Sequence, residues 1–314
     1  MDSFLLVDSY AQIYRAYYAV RALSNRKGFP TNAIFGMAKF LLKLDKDFPE
    51  YQGAFVFDWG KPQHRLELAP QYKAQRPPMP EDLRPQIEVI RELVTAFGWS
   101  SLLSENWEAD DLIAASADYL KPHPVRIISA DKDLAQLIDE RVTMLVPDPD
   151  GKGFSIRNIA AVVEKFGVPP AEIVDYLAML GDASDNIPGI EGVGPKTAVS
   201  LMAQFHSIEN MLAHTDEIAR ENLRLKIQSG ADILRTNIKL VTLVHTLPAG
   251  CTLNESSFKR TAPDYGHIRD IAERMELRSI LKELPLSSSI LQIPPTQTPP
   301  DTPSKSNLEQ PSLF

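Results

Sequence analysis

Three short apolar runs in the first half of the chain each end in an aspartate. They cover residues 4–8, 54–58 and 125–131. Near-continuous apolar runs of this length are typical of strands buried on both faces, and such strands build parallel sheets. A fourth run at residues 142–146 predicts one more strand.

Segments with helical periodicity separate these runs, for example at residues 31–44 and 83–97. An alternation of strands and helices predicts an α/β fold with a parallel sheet. Ligands of such sheets bind beyond the carboxyl ends of the strands. We therefore expect Asp8, Asp58 and Asp131 to lie together at that edge.

The pattern becomes helical from about residue 156, and a proline-rich tail follows. We expect an α/β domain of residues 1–155, an all-α domain of residues 156–284 and a tail of residues 285–314. The tail has too few apolar residues to offset the entropy of ordering, which predicts disorder. The helices predicted in the second domain cover residues 156–166, 170–180, 195–205 and 264–284.

The composition narrows the classes of function. A net charge of −8 argues against a partner that is bound through its phosphates. The single cysteine, Cys251, excludes an internal disulfide and a Cys-rich zinc site. No apolar run approaches the ~18 residues of a membrane span, and no basic region precedes the first apolar run. We expect a monomeric cytoplasmic protein without membrane contact.

Nine acidic residues fall in five tight groups. An aspartate at a strand end or helix start is usually a cap or a turn former, and that alternative stays open for each residue taken alone. The spacing favours convergence, because acids three apart share a helix face and acids two apart can point the same way from an extended backbone. The nine are Asp8, Asp58, Glu108, Asp110, Asp111, Asp131, Asp133, Asp182 and Asp185.

Converging carboxylates need a cation. Two of them ~4 Å apart repel by roughly 4 kcal/mol at an effective dielectric near 20, and no matching set of Lys or Arg interleaves the five groups. Oxygen ligands without His or Cys favour two ions of Mg²⁺ or Mn²⁺, and paired ions of this kind hydrolyse phosphodiesters. Removing nine negative charges from −8 leaves +1 for the rest of the chain, so the charge argument against DNA loses most of its force.

In this order, the acidic groups resemble those of the 5′-nuclease domain of bacterial DNA polymerase I and the flap endonuclease superfamily. The resemblance covers residues 3–284. It implies a resolvase-like (PIN-like) sheet with a helical arch and a helix-three-turn-helix (helix–hairpin–helix) region. The motifs are Leu6-Val7-Asp8, Val56-Phe57-Asp58, Glu108-Ala109-Asp110-Asp111, Ser129-Ala130-Asp131-Lys132-Asp133-Leu134, Gly181-Asp182, Ser184-Asp185-Asn186 and Gly192-Val193-Gly194-Pro195-Lys196-Thr197-Ala198.

The resemblance implies that all nine acids hold metal. Asp182 and Asp185 would serve the second ion, and the other seven would hold or flank the ion essential for chemistry, with Asp110 expected to be catalytic. The polymerase domains of the family are absent from these 314 residues. We therefore expect the nuclease to work without an attached polymerase.

The stretch of residues 61–76 has a local charge of +3. A solvated basic loop is one interpretation. By resemblance, Tyr72, Lys73 and Arg76 match the family's arch motif, in which the cations neutralise the scissile phosphate and the aromatic ring stacks on a base. Arg15 matches a basic position near the active site, although an ordinary surface arginine is the alternative.

Residues 192–197 superficially resemble a phosphate-binding P-loop, but proline stands where that motif demands lysine. A helix–hairpin–helix explains them better, because glycines admit a phosphate and the helix N-terminus attracts it. A plain interhelical turn is the alternative. The expected DNA contacts are Gly192, Gly194, Lys196 and Thr197. The family's hairpin also binds a monovalent cation through carbonyl groups, which implies a K⁺ site here.

These expectations combine into one function, a Mg²⁺-dependent 5′→3′ exonuclease with flap endonuclease activity. Its partners would be branched or flapped DNA and RNA-primed DNA in replication and repair. One alternative is a non-catalytic DNA-binding protein that selects branched structures, which the intact set of acids argues against. The other is an RNase of the related PIN class, whose domains usually lack the hairpin.

The last five residues suggest a further partner. Gln310, Leu313 and Phe314 resemble the peptide by which many bacterial replication proteins dock on the sliding clamp. A chance match in a low-complexity tail is the alternative. We expect this segment to tether the nuclease to the clamp.

Overall fold

A six-stranded sheet organises the first half of the chain. The computed structural model describes residues 3–149, 153–248 and 250–285, so the clamp-like residues Gln310, Leu313 and Phe314 lie outside the described residues. The strands are β1 (Phe4–Asp8), β2 (Gln52–Val56), β3 (Ser100–Leu102), β4 (Val125–Ile128), β5 (Val142–Pro147) and β6 (Phe154–Arg157). Their order is β3-β2-β1-β4-β5-β6, and the strands are parallel except for the antiparallel β5–β6 pair.

The structure confirms the α/β fold and the four predicted strands, and it adds two edge strands. The third strand, Ser-Ser-Leu, is short and carries no apolar pattern. The helix predicted to begin at residue 156 was wrong at its start. Residues 154–157 pair with β5, and the helix begins after Asn158, whose side chain accepts from the N–H of Ala161 at 3.0 Å.

Helices cover both faces of the sheet. Side chains alternate along a strand, so Leu5 and Val7 face one apolar cluster while Leu6 faces the other. The helices between the strands are α1 (Ser9–Ala19), α2 (Asn32–Asp47), α3 (Gln63–Leu68), α4 (Gln86–Ala96) and α5 (Ala109–Tyr119).

The second half is helical, as predicted. Its first elements are α6 (Ile159–Phe166), α7 (Ile173–Leu180), α8 (Pro195–Phe205), α9 (Ile208–Ala213), α10 (Glu221–Ser229) and α11 (Ala231–Val241). Short 3-10 turns cover Asp133–Leu137, Pro170–Glu172, Thr215–Glu217 and Glu255–Ser257. The observed bounds of α8 are those that the sequence predicts.

The helix predicted at residues 264–284 is two helices. They are α12 (Tyr265–Arg274) and α13 (Arg278–Glu283), and Glu276 between them has a positive φ of 59°. Both helices return to the sheet, where Ile268 and Ile280 join the apolar cluster that contains Leu5 and Val7. No helix in the described part of the chain is long and apolar enough to cross a membrane.

Candidate active site

A cleft of about 550 Å³ lies at the carboxyl ends of β1, β2 and β4. Five of the nine predicted acids line it, namely Asp8, Asp58, Glu108, Asp110 and Asp131. These residues come from separate stretches of sequence. The sheet topology brings them together because parallel strands end at the same edge.

Hydrogen bonds fix the acids at the ends of β1 and β2. Asp8 is the last residue of β1, and its Oδ1 accepts from the N–H of Ala11 at 3.2 Å while its Oδ2 accepts from Ser129 Oγ at 2.8 Å. The Oδ1 of Asp58 accepts from the N–H of Ala109 at 2.7 Å, which ties β2 to the start of α5. Asp8 therefore caps a helix and lines the cleft at once.

The cleft disfavours negative charge on its own acids. Burial and the charge of Asp58 raise the pKa of Asp8 to about 7. Burial and the charge of Asp131 likewise raise the pKa of Asp133 to about 7 and hold the pKa of Asp110 well above its ordinary value. A cation near these groups would reverse the shifts, because an opposite charge favours the ionised form.

The donors suit a hard divalent cation, since carboxylate oxygens are the ligands that Mg²⁺ and Mn²⁺ prefer. Asp8, Asp58, Asp110, Asp131 and Asp133 form no ion pair among the described residues, so their charge is not compensated there. In the conformation seen, no three His, Cys, Asp or Glu side chains of residues 3–149, 153–248 and 250–285 are close enough to hold an ion. The match between these residues and a divalent cation therefore depends on the carboxylate oxygens and their negative charge.

The expectation that no basic side chains lie among the acidic groups was wrong, because Arg65 lies between two of the acids. Its guanidinium lies 2.5 Å from Asp111 and 2.7 Å from Glu108, and Nε donates to the carbonyl of Leu240 at 2.9 Å. Asp111 is fully buried and does not line the cleft. It also accepts from the N–H of Val244 at 2.9 Å, so its oxygens already have partners.

Lys73 and Arg76 line the cleft as the family's arch motif implies, and both are paired with acids. Lys73 contacts Glu108 and lies 3.6 Å from Asp185, while Arg76 lies 2.5 Å from Asp185. Burial opposes the charge of Lys73, yet Glu108 and its neighbours raise the pKa of the lysine far above its ordinary value. The side chain therefore stays cationic.

Three hydrogen bonds join residues 71–75 to Asp185 and Asn186. The N–H of Lys73, in a left-handed conformation with φ 55°, donates to the carbonyl of Asp185 at 2.9 Å. Gln75 donates to Asn186 at 2.9 Å, and Asn186 donates to the carbonyl of Gln71 at 2.8 Å. We call these three bonds the cross-cleft contacts.

Two predicted DNA contacts, Tyr72 and Arg15, make their polar contacts within the protein. Tyr72 lines the cleft but is only 7% exposed, and its hydroxyl lies 3.3 Å from Glu108 and from Asp185, so little of the residue is open to a base. Arg15 does not line the cleft, and its guanidinium donates to the carbonyls of Pro147 and Asp148. Both positions favour a structural role.

The acids expected to serve the second ion lie beside cations. Asp182 is 2.7 Å from Lys132, and although burial acts in the opposite direction, the hydrogen bonds from Lys132 and Ser184 lower its pKa to about 2. Asp185 is held by Lys73 and Arg76. Because four of the nine acids are paired with cations, removing the other five from −8 leaves −3 for the rest of the chain rather than +1.

The backbone of the predicted hairpin is exposed at both glycines. Gly192 has a positive φ of 82°, and a side chain added at Gly194 would meet nothing within 4 Å. Pro195 opens α8, and both Pro195 and Lys196 at this N-terminus are exposed. Thr197 follows in the first turn. Lys226 adds a cation near the turn and lies 3.2 Å from Glu191.

Sequence reasoning missed two residues that line the cleft and two basic partners of the predicted acids. The sequence shows that Arg65 and Lys132 are basic, but it does not show their acidic partners. Asp111 and Asp182 are distant from them in sequence and meet them only in the folded chain. Tyr10 and Tyr14 also line the cleft. Their four-residue spacing was visible, yet aromatic residues at that spacing more often face a core.

Two family models match the chain. They are the 5'-3' exonuclease N-terminal resolvase-like domain, over residues 3–167, and the 5'-3' exonuclease C-terminal SAM fold, over residues 168–265. Among solved structures, T5 5'-exonuclease with bound divalent metal ions (zinc) has a TM-score of 0.63 and 20% identity, covering 89% of this chain and 98% of that one. The catalytic core of Rad2 with a DNA substrate has a TM-score of 0.60 and 18% identity, covering 90% and 92%. These two share the fold.

Curated relatives are more similar in sequence. A 5'-3' exonuclease of Aquifex aeolicus is 38% identical over 287 residues, covering 90% of this chain and 96% of the relative. The thermostable DNA polymerase I of Thermus thermophilus is 37% identical over 299 residues, covering 94% of this chain but 35% of the polymerase. The chain thus spans about a third of that polymerase and nearly all of the Aquifex protein. It belongs to the 5'-3' exonuclease family.

Proposed function

We propose that the protein is a Mg²⁺-dependent 5′→3′ exonuclease and flap endonuclease. It would hydrolyse phosphodiester bonds in flapped or branched DNA and remove RNA primers during replication and repair. The observation that supports this best is a single cleft lined by four aspartates together with Lys73 and Arg76. Carboxylates bind divalent ions, and basic side chains of this kind bind phosphate.

Asp8, Asp58, Asp110 and Asp131 are the residues that would hold metal, with Asp133 beside Asp131 flanking them. Mn²⁺ is the alternative ion. Bound divalent ions in such a site activate a water and stabilise charge on the leaving oxygen. We keep Asp182 and Asp185 as candidates for a second ion. They would first have to exchange their present contacts with Lys132, Lys73 and Arg76.

Lys73 and Arg76 would act on the substrate itself. A phosphate in the cleft competes with Glu108 and Asp185 for these two cations. Once transferred, the cations neutralise the scissile group and keep it oriented, which stabilises the transition state electrostatically. Because the ionised form of Lys73 is strongly favoured, it would not donate a proton near neutral pH.

The hairpin would hold the duplex arm away from the cut. Gly192 and Gly194 let the backbone approach a phosphate, while Lys196 and Thr197 lie in the first turn of α8. Contacts of this kind ignore base sequence, as suits an enzyme that recognises DNA shape. The carbonyl groups of the same turn are the proposed site for K⁺.

The test is cleavage of a labelled double-flap DNA with Mg²⁺ or with EDTA. We expect 5′-phosphorylated products only with the metal. Asp110→Ala should reduce cleavage at least 100-fold yet leave flap binding intact, because losing an acid weakens repulsion with phosphate. Binding without cleavage by the unaltered protein would favour the non-catalytic alternative, and cleavage confined to RNA would favour the PIN-type RNase.

We also propose that the tail docks on the bacterial sliding clamp through Gln310, Leu313 and Phe314. Burying the last two side chains could contribute roughly 3–6 kcal/mol before ordering costs, enough for a weak contact. A calorimetric titration of the clamp should detect the full chain but not a version ending at Glu309. Equal binding by both, or binding by neither, rejects the docking motif.

A further inference from the structure

Three tyrosines follow one another at four-residue spacing along α1. The ring centroids of Tyr10 and Tyr14 are 6.4 Å apart, and those of Tyr14 and Tyr18 are 6.3 Å apart with planes only 17° from parallel. Residues four apart lie on one face of a helix. The three rings therefore form a single row, which we call the tyrosine track.

The tyrosine track begins in the cleft and leaves it. Tyr10 and Tyr14 line the cleft beside Asp58, and the ring of Tyr10 packs edge-to-face on Phe57 at 6.1 Å. Tyr18 lies beyond the lining residues and is 72% exposed. The track is thus anchored at its inner end and open to solvent at its outer end.

Neighbouring groups orient the exposed ring. Tyr17 contacts Tyr18 edge-to-face at 5.0 Å, and the Tyr17 hydroxyl donates to Asp82 at 2.7 Å. Tyr14 supports the ring from inside the row. A flat ligand that stacks on Tyr18 would therefore cost little side-chain entropy, since the ring is already held in place.

The chain that continues from the outer end of the tyrosine track is basic, and Asp82, the partner of Tyr17, is an acid at the same end. The loop of residues 20–30 that follows α1 carries Arg21, Arg26 and Lys27, all exposed, and has no acidic residue. Arg26 lies 3.7 Å from Glu276, but both side chains are solvated and such a pair is weak. This local charge contrasts with the negative charge of the whole chain.

We propose that Tyr18 is a stacking site for an unpaired base of the strand that enters the cleft, with Arg21 and Lys27 near its phosphates. The inference rests on the proposed function, since it assumes a nucleic-acid strand in the cleft. Aromatic faces accept every base, and a cationic groove follows the backbone, which is the combination that binds single strands without sequence preference. This site would lie just outside the cleft, next to Tyr14.

The first test measures binding of a DNA with a six-nucleotide 5′ flap by fluorescence anisotropy. EDTA is present so that no cleavage occurs. Tyr18→Ala should weaken binding by about tenfold, and Tyr18→Phe, which keeps the ring, should bind like the unaltered protein. Tyr119→Ala is the matched control, because Tyr119 is 46% exposed and ends α5 at the opposite end from the cleft. It should leave binding unchanged.

The second test replaces each flap nucleotide in turn by an abasic one. One abasic position should weaken binding of the unaltered protein about tenfold but leave Tyr18→Ala unaffected, because the lost base and the lost ring make the same contact. Normal flap binding by Tyr18→Ala, or the same abasic profile in both proteins, overturns the inference. If the unaltered protein cuts double-flap DNA with Mg²⁺, either result rejects the stacking site alone, whereas absence of that cleavage rejects the proposed function.

Discussion

At the scale of single residues, the buried carboxylate of Asp8 lowers the stability of the folded protein near neutral pH. Its pKa is about 7 in the folded protein, against an ordinary value of 3.8. Between these pH values the unfolded chain gives up the Asp8 proton while the folded chain keeps it, so stability falls as pH rises. Above pH 7 the full penalty is present.

Asp8→Asn should therefore stabilise the metal-free protein at pH 8. The gain is on the order of 2–4 kcal/mol, because each unit of pKa shift corresponds to about 1.4 kcal/mol and asparagine still caps a helix. It should shrink to nothing by about pH 4. Thermal unfolding in EDTA at both pH values measures it, and the exposed Asp216→Asn should show no such change. A destabilised Asp8→Asn at pH 8 would contradict the assignment.

The positions of the acids were predictable from sequence, but their partners were not. Asp8 and Asp58 end apolar runs, and parallel topology then fixes the edge at which they lie. Whether an acid faces a metal or an arginine depends on side chains brought in by tertiary structure. Arg65 reaches Asp111 across 46 positions, which no local pattern reveals.

At the scale of elements, Arg65 joins α3 to α5 and α11. Arg65→Met should cost about 3–5 kcal/mol, because it leaves the buried charge of Asp111 without its partner. Changing Asp111 to Leu in the same protein should recover much of the loss. Arg76→Ala is the control, since its side chain is half exposed and its removal should change stability far less. Urea unfolding distinguishes these outcomes, and a full loss that the double variant does not recover would assign Arg65 a packing role.

The arch segment and the hairpin should divide chemistry from binding. Lys73→Ala is expected to slow single-turnover cleavage by about 100-fold through lost stabilisation of the scissile phosphate. Lys196→Ala should instead weaken duplex binding and reduce its salt slope by about one. Rapid-quench kinetics and binding at several salt concentrations separate the two. Equal loss of catalysis from both, without any effect on binding, would be inconsistent with this division.

The pattern of apolar residues predicted the bounds of helices and strands well where the pattern was long. α8 was predicted to the residue, and β1 likewise. β3 escaped because three residues carry too little pattern. The break between α12 and α13 escaped because the left-handed residue there is Glu276, whereas glycine would have marked it.

At the scale of the whole molecule, metal binding and protonation should be linked. Asp8 and Asp133 both have a pKa of about 7, so each is about half protonated at that pH. A divalent ion binds the ionised form, so it should displace on the order of one proton, and Mg²⁺ affinity should rise between pH 6 and pH 8. Calorimetry at pH 7 in two buffers of different ionisation enthalpy measures the release. Identical heats in both buffers would show that these acids do not meet the ion.

The cross-cleft contacts carry a topological consequence. The segment of residues 71–76 lies between α3 and α4, and its bonds to Asp185 and Asn186 close a loop between the two halves of the chain. A strand can pass through a closed loop only by its free end, or it must wait for the loop to open. A flap that carries a bulky protein on its 5′ end should then be cut more slowly than the same flap with a free 5′ end.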